Sequence, residues 1–344
     1  MEAARPPDRP DRRRRRLLAA AGAAALAGCA GRKHRPPEAG PVAAMFPGRV
    51  DDGGFFELGH RGLQRVRAEL GIPVRHLDGV APEREPMLAA LRELAASEAT
   101  LVVAYGAVTS EAVQRVAWEF PAQRFVAIEG RLTRPNLAVY GVRQAESAWL
   151  AGAAAGLLTR ANAVGHLGGA RSDAALAARA AFAGGLRAAN PRARLLTRFA
   201  GVDDDAALAR THALAAIEAG ADVVFTMLDA GGRAGATEAC RARGVRQIGA
   251  VRDWVAAAPE AYVASAVADS GYALFMAARD LRDNLLKGDL VKRYGVRHPE
   301  AVRLALAADV APRVRAGVEE YRERIAAGAI RMPEAFEGPE LAGA

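Results

Sequence analysis

The chain has 344 residues, 51% of them hydrophobic and 25% charged, with a formal net charge of +8 at pH 7. That balance excludes a disordered or fibrous chain and leaves enough length for a core split between two lobes. The two cysteines, Cys29 and Cys240, are too few for a disulfide framework or a cysteine-based metal site.

In chain order the first element is a leader. Five consecutive arginines, Arg12 to Arg16, precede a short apolar run from Leu17 and the small-residue stretch Leu26-Ala27-Gly28-Cys29, the three-part build of an export signal. The apolar run falls well short of the ~20 residues that span a bilayer. Leu26 to Cys29 resembles the lipobox of bacterial lipoproteins, which implies acylation of Cys29, cleavage before it and a lipid anchor on the extracytoplasmic (periplasmic) side of the cell envelope. The competing reading is an ordinary secretory leader that contains a cysteine, and the arginine run suits the general and the twin-arginine export routes equally. Residues 1–28 carry seven arginines against Glu2, Asp8 and Asp11, so half of the +8 leaves with the signal peptide. No dense basic patch remains, and no nucleic-acid partner is expected. Residues 29–40, with paired prolines at 36 and 37, read as a tether.

Beyond the tether, apolar runs of strand length recur at 42–46, 100–106, 124–130, 136–142, 163–169, 222–228, 245–251 and 261–267. Stretches of helical period lie between them. Residues 109–120 put Val113, Val116, Ala117 and Phe120 on one face, with Thr109 or Ser110 as N-cap. Residues 203–220 open on carboxylates and close on a glycine, as a helix start and stop require. Cys240, in "ATEACRARG", falls on the apolar side of a helix, where a buried inert thiol is expected. Near-continuous apolar strands alternating with helices predict an α/β fold with doubly wound parallel sheets. Ligands of such sheets bind outside the carboxyl ends of the strands.

Three strand-end loops carry the chemistry. After "VAAMF" comes "PGRVDDGGFFELGHRG", in which Gly53 and Gly54 allow close backbone approach, Asp52 offers hydrogen-bond acceptors and Phe55 a stacking ring. The competing reading is a tight turn whose aromatics enter the core. In "YGAVTS", residues 105–110, Gly106 and the hydroxyls at a helix start can hold a polar ligand atom, or simply cap the helix. The third loop, "MLDAGGRAG" at 227–235, is rich in glycine but lacks the G-x-G-x-x-G spacing, so no dinucleotide cofactor is expected, nor any other. The six histidines show no zinc-ligand spacing, and no G-x-S-x-G elbow or Walker loop occurs. Neither a metal nor an enzymatic activity is therefore expected.

The motifs "DDGGFFELGHRG", "YGAVTSEAVQRVAWEFPAQRFVAIEG", "GVRQAESAWLAGAAAGLLTRANAVGHLGG", "EAGADVVFTMLDAGGRAGATEACRARGVRQIGA" and "IAAGAIRMP", in this order from Met45 to Pro333, resemble the basic membrane protein family of bacterial lipoproteins. Those are substrate-binding components of ABC importers, mostly for purine nucleosides. The resemblance implies a type I periplasmic binding protein fold, two α/β lobes closing over a small ligand, and a membrane permease as partner. The expected division is a signal peptide at 1–28 and a tether at 29–40, then an N-terminal lobe of 41–142 with part of 266–300. A C-terminal lobe of 143–265 with part of 300–333 and a tail at 334–344 complete it.

By position, the resemblance assigns Asp52 to hydrogen bonding and Phe55 to stacking on a base, and sets Gly106, Glu129, Asp205 and Gly231 around the cleft. Asp205 also reads as a plain helix cap. Where nucleoside-binding members have an aspartate after the strand ending "IG", this chain has Val251, and a lysine of the next strand is replaced by Ala268. Both groups contact the sugar in typical members, so their loss puts a ribose in doubt. Arg252, Asp253 or Trp254 are candidates to substitute, and Phe56, where many members have asparagine, shifts the site the same way. The function implied is delivery of a nucleoside or nucleobase to an ABC importer. A ligand-sensing receptor and a carrier of some other small molecule are the alternatives.

Overall fold

The computed structural model describes Met1 and residues 40–342; the leader, Cys29 and most of the tether lie outside the described residues. Within the first lobe, the strands are β1 (Val42–Met45), β2 (Val74–Leu77), β3 (Leu101–Tyr105), β4 (Arg124–Ile128), β5 (Leu137–Val142) and the late-arriving β11 (Val291–Tyr294). They form one parallel sheet in the order β11-β5-β4-β3-β1-β2. The second sheet takes β6 (Ala163–Gly168), β7 (Arg194–Phe199), β8 (Val223–Met227), β9 (Arg246–Val251), β10 (Tyr262–Ala268) and β12 (Val302–Leu306), ordered β12-β10-β9-β8-β6-β7. Its edge strand β12 runs antiparallel to β10, a departure from the all-parallel expectation.

The central strands are buried from end to end, as in β3 and β6, because helices cover both faces of each sheet. Helices α1 (Phe55–Leu70), α2 (Arg84–Ala95) and α3 (Ser110–Glu119) cover the first sheet; α5 (Asp173–Ala189), α6 (Ala206–Glu218) and α7 (Ala230–Arg243) belong to the second, followed by the short α8 (Trp254–Ala257). Helix α4 (Gln144–Leu158) is apolar on every side beyond its first turn, and Ser147 to Gly156 are all buried. It approaches α5 backbone to backbone: a Cβ at Gly152 would lie 1.9 Å from the Phe182 carbonyl, and one at Gly185 1.9 Å from that of Trp149.

Among the described residues the chain crosses between lobes three times, after β5, after β10 and between β11 and β12. Helix α9 (Ser270–Arg282), entered at the second crossing, returns to the first lobe, where its buried Asp280 accepts hydrogen bonds from Tyr140 Oη (2.6 Å) and Lys292 Nζ (2.7 Å). Helix α10 (Pro312–Ala326) packs on α4. The tail does not trail free of the second lobe: Glu340 pairs with Arg171 and Arg179, and the Leu341 N–H donates to the Thr197 carbonyl at 2.8 Å. No helix among the described residues is long and apolar enough to cross a membrane.

Candidate ligand cleft

The carboxyl ends of the strands from both lobes border a cavity of about 540 Å³. From the first lobe come Phe55 after β1, Ala107 after β3, and Glu129 and Arg131 after β4. Asp173 after β6, Val251 at the end of β9 and Ala268 at the end of β10 face it from the second. The crossovers add Gln144 and Ser270, and the edge strand β11 adds Arg293.

Backbone strain concentrates here. Five non-glycine residues among those described have positive φ; Asn162, Asn284 and Asp289 are of types that tolerate it, whereas Glu129 (58°) and Val251 (71°) are not, and both line the cavity. The turn at Glu129 folds its carboxylate back on the next strand, where it accepts the Val142 N–H at 2.8 Å and Arg293 Nη1 at 3.1 Å. Burial pushes this carboxyl above its ordinary pKa, opposed by the Val142 N–H and the Arg293 guanidinium. The loop that bears it is unusual: β4 and β5 are parallel neighbours joined by residues 129–136 alone, with no helix.

Phe55 presents its ring to the cavity from the first turn of α1, 4.9 Å from the Tyr105 ring. Phe56 turns away from it, packing edge-on to Phe55 at 5.3 Å and over Gly48, where a Cβ would meet its ring at 2.5 Å. Gly106 adopts φ 103°, leading the chain from β3 into the 3-10 turn 107–109 beside both phenylalanines.

Asp52 lies at the rim and not in the cavity lining; its Oδ1 accepts the Gly54 N–H at 2.9 Å. Its loop abuts the second lobe, since a Cβ at Gly53 would lie 3.4 Å from Arg233 and 3.6 Å from Trp254. Asp229 faces it there, and desolvation together with the carboxylates of Asp203, Asp52 and Asp204 raises the Asp229 pKa to about 6. Trp254 stacks under the Arg233 guanidinium, 3.8 Å from the ring centroid, and its indole N–H donates to the Ala250 carbonyl. Asp253 is occupied elsewhere, capping α8 through Ala256 N (3.0 Å) and pairing with Arg303 (2.9 Å). Asp205 caps α6 through Leu208 N at 2.9 Å and is exposed outside the cavity. Gly231 lies within the first turn of α7, its N–H bonded to Asp204. Its neighbours Gly232 and Gly235 serve close packing, because Cβ atoms there would meet the carbonyls of Asp203 (2.3 Å) and Ala206 (1.9 Å). Cys29 lies outside the described residues.

Of the residues expected at the cleft, Phe55 and Glu129 line one cavity together with Val251 and Ala268, while Asp205, Gly231 and Asp253 stand apart from it. Sequence reasoning passed over Arg131, Gln144, Asp173, Ser270 and Arg293. The strand-end rule would have found Arg131, Gln144 and Ser270, which follow apolar strands by three, two and two residues.

The description "ABC transporter substrate-binding protein PnrA-like" belongs to the family, Bmp, whose model matches residues 40–319. The chain belongs to the Bmp family. Among Bmp relatives, the CD4+ T-cell-stimulating antigen of Listeria monocytogenes is 26% identical over 313 residues, covering 83% of this chain and 86% of its own length. Basic membrane protein A of Borreliella burgdorferi is 24% identical over 297 residues, covering 82% and 86%. A solved ABC transporter solute-binding protein from Conexibacter woesei superposes with a TM-score of 0.72 at 27% identity, covering 87% of this chain and all of that one. One from Aeropyrum pernix does so at 0.71 and 22% identity, covering 86% and 94%. The Bmp chain is thus an ABC-transporter substrate-binding protein of type I periplasmic binding protein fold, from a solute-binding and not an enzyme family.

Proposed function

We propose that this Bmp protein is anchored by lipid at Cys29 on the extracytoplasmic face of a membrane and delivers a nucleobase or nucleoside to its permease, with the free base preferred. The observation that carries this reading is the composition of the cavity. Phe55 offers a ring face for a base, and Glu129 and Gln144 offer polar edges, while Val251 and Ala268 leave one wall without side-chain donors or acceptors. A ribose buried against that wall would lose its water partners without replacement, at a cost of about 1–3 kcal/mol for each unpaired hydroxyl. Asp52 contributes from the rim, through the turn that holds Phe55 in place.

The mechanism involves no bond breaking. Ligand favours the closed arrangement of the lobes by contacts it makes to both, and the closed form docks on the permease. A thermal-shift screen of residues 30–344, unfolded and refolded to strip carried-over ligand, tests the reading. Free purine or pyrimidine bases should raise the midpoint more than their ribosides do. A silent panel would reject the ligand class, and normal lipid labelling of Cys29→Ser would reject the anchor.

A further inference from the structure

We propose that a second cavity, at the crossovers, is a binding site for small oxyanions bearing phosphate or carboxylate groups. It measures about 630 Å³ and shares only Arg293 with the ligand cleft. Three separate stretches of chain build it, and each brings at least one guanidinium group: Arg143 at the first crossing, Arg293 on β11 with Arg297 just after it, and Arg331 in the segment after α10. One carboxylate lines it. Glu146 accepts the Val296 N–H at 2.8 Å and lies 3.8 Å from Arg143.

The charges do not balance. Arg143 has Glu146 and Arg293 has Glu129, but among the described residues Arg297 donates only to the Ala326 carbonyl, at 2.6 Å. Arg331 has no carboxylate or hydrogen-bond partner among the described residues. Two positive charges therefore face one concave surface whose apolar part, from Ile325, Ile330 and Met332, has no donor or acceptor of its own in the side chains. A guanidinium presents paired N–H groups in a plane that matches two oxygens of a phosphate or carboxylate. An oxyanion supplies what this cavity lacks, a second negative charge to set beside Glu146.

The experiment is calorimetric titration of the folded chain with inorganic phosphate and, in a parallel arm, with succinate, both at ionic strength held constant with sodium chloride. Saturable binding of at least one anion is expected in the unaltered protein and in Phe55→Ala, which alters only the ligand cleft. Arg331 pairs with no carboxylate among the described residues, so Arg331→Gln should weaken binding at least tenfold with an unchanged melting midpoint, and Arg297→Gln combined with it should abolish binding. Arg331→Lys should recover part of it. Whichever arm saturates identifies the anion class. Absence of saturable heat in both arms overturns the site, as does binding that survives the paired substitution or is lost in Phe55→Ala.

Discussion

Arg131 Nη2 of the first lobe lies 2.8 Å from Asp173 Oδ2 of the second, so that an ion pair spans the mouth of the ligand cavity. Arg252 and Glu57 form a looser pair between the lobes, 3.8 Å apart. Arg131 and Asp173 side chains are 59% and 74% exposed, which limits their pair to about 0.2–1 kcal/mol. That is still enough to shift an open-closed equilibrium by up to about fivefold, since ~1.4 kcal/mol is tenfold. Arg131→Ala and Asp173→Asn should each increase the radius of gyration of the ligand-free protein in small-angle scattering, without lowering its melting midpoint. Raising the salt should erase the difference from the unaltered protein. Equal radii at low salt would show that the pair does not help hold the lobes together.

Phe55 is the aromatic group offered to a base. Its truncation to alanine should weaken binding of whichever base or nucleoside gives the largest thermal shift by roughly 10- to 100-fold, corresponding to ~1–3 kcal/mol of stacking. Phe55→Leu, which keeps bulk but not the ring, should fall between. The neighbouring Tyr105 is held by its own hydrogen bond to Ser270, 2.5 Å away, so the core beneath should survive the truncation. Calorimetry on both variants decides; affinities equal to that of the unaltered protein would move the base elsewhere in the cleft.

The interior of the fold was legible in the sequence, and its edges were not. All eight strands expected from apolar runs form, and the four that were not foreseen, β2, β7, β11 and β12, are the four edge strands of the two sheets. An edge strand is covered less completely, so "VRHL" and "VKRY" keep charged residues that break an apolar run. Part of the lining of the candidate cavity was legible for a related reason. Phe55 and Glu129 follow interior strands, whereas Arg293 stands on an edge strand, which strand-end reasoning does not reach. Asp205 and Asp253 carried the same acidic signal as a binding residue but spend it on helix caps. The glycines of the third loop look like a ligand turn and serve instead to bring α7 against the loop at Asp203 and the start of α6.

Val251 combines two properties that a single substitution can separate. Its φ of 71° disfavours a β-branched side chain by about 1–2 kcal/mol, and its side chain removes hydrogen-bonding capacity from the cavity. Val251→Asn relieves the strain, because asparagine tolerates this backbone, and should raise the melting midpoint by ~1–4 °C. Val251→Asp supplies an acceptor at the same point and should shift preference from free bases towards ribosides. An unchanged ratio of base to riboside affinity in Val251→Asp would remove this position from specificity.

His166 sets the pH dependence of stability. Only 2% exposed, it sits among the rings of Phe182, Phe199 and Phe225, with Nδ1 2.9 Å from Thr197 Oγ1 and no partner for Nε2 among the described residues. Burial, reinforced by the charge of Arg179 and opposed by Glu340, lowers its pKa from 6.5 to about 3. Between those values the unfolded chain binds a proton that the native state refuses. Its contribution to stability is therefore complete above pH 6.5 and is lost as pH falls towards 3, by up to about 1.4 kcal/mol per unit. Carboxylates held below their ordinary pKa, such as Glu119 at about 2, act only at lower pH, whereas Asp229, raised to about 6, takes up a proton in the native state within the same interval and opposes the histidines, so urea denaturation between pH 6.5 and 5 is read as the difference between the unaltered protein and a His166 variant. His60 and His212 are also lowered by burial and leave a residual slope. His166→Gln, which keeps a partner for Thr197, should flatten the curve in that interval, and a slope equal to that of the unaltered protein would show that His166 takes up its proton without unfolding the lobe.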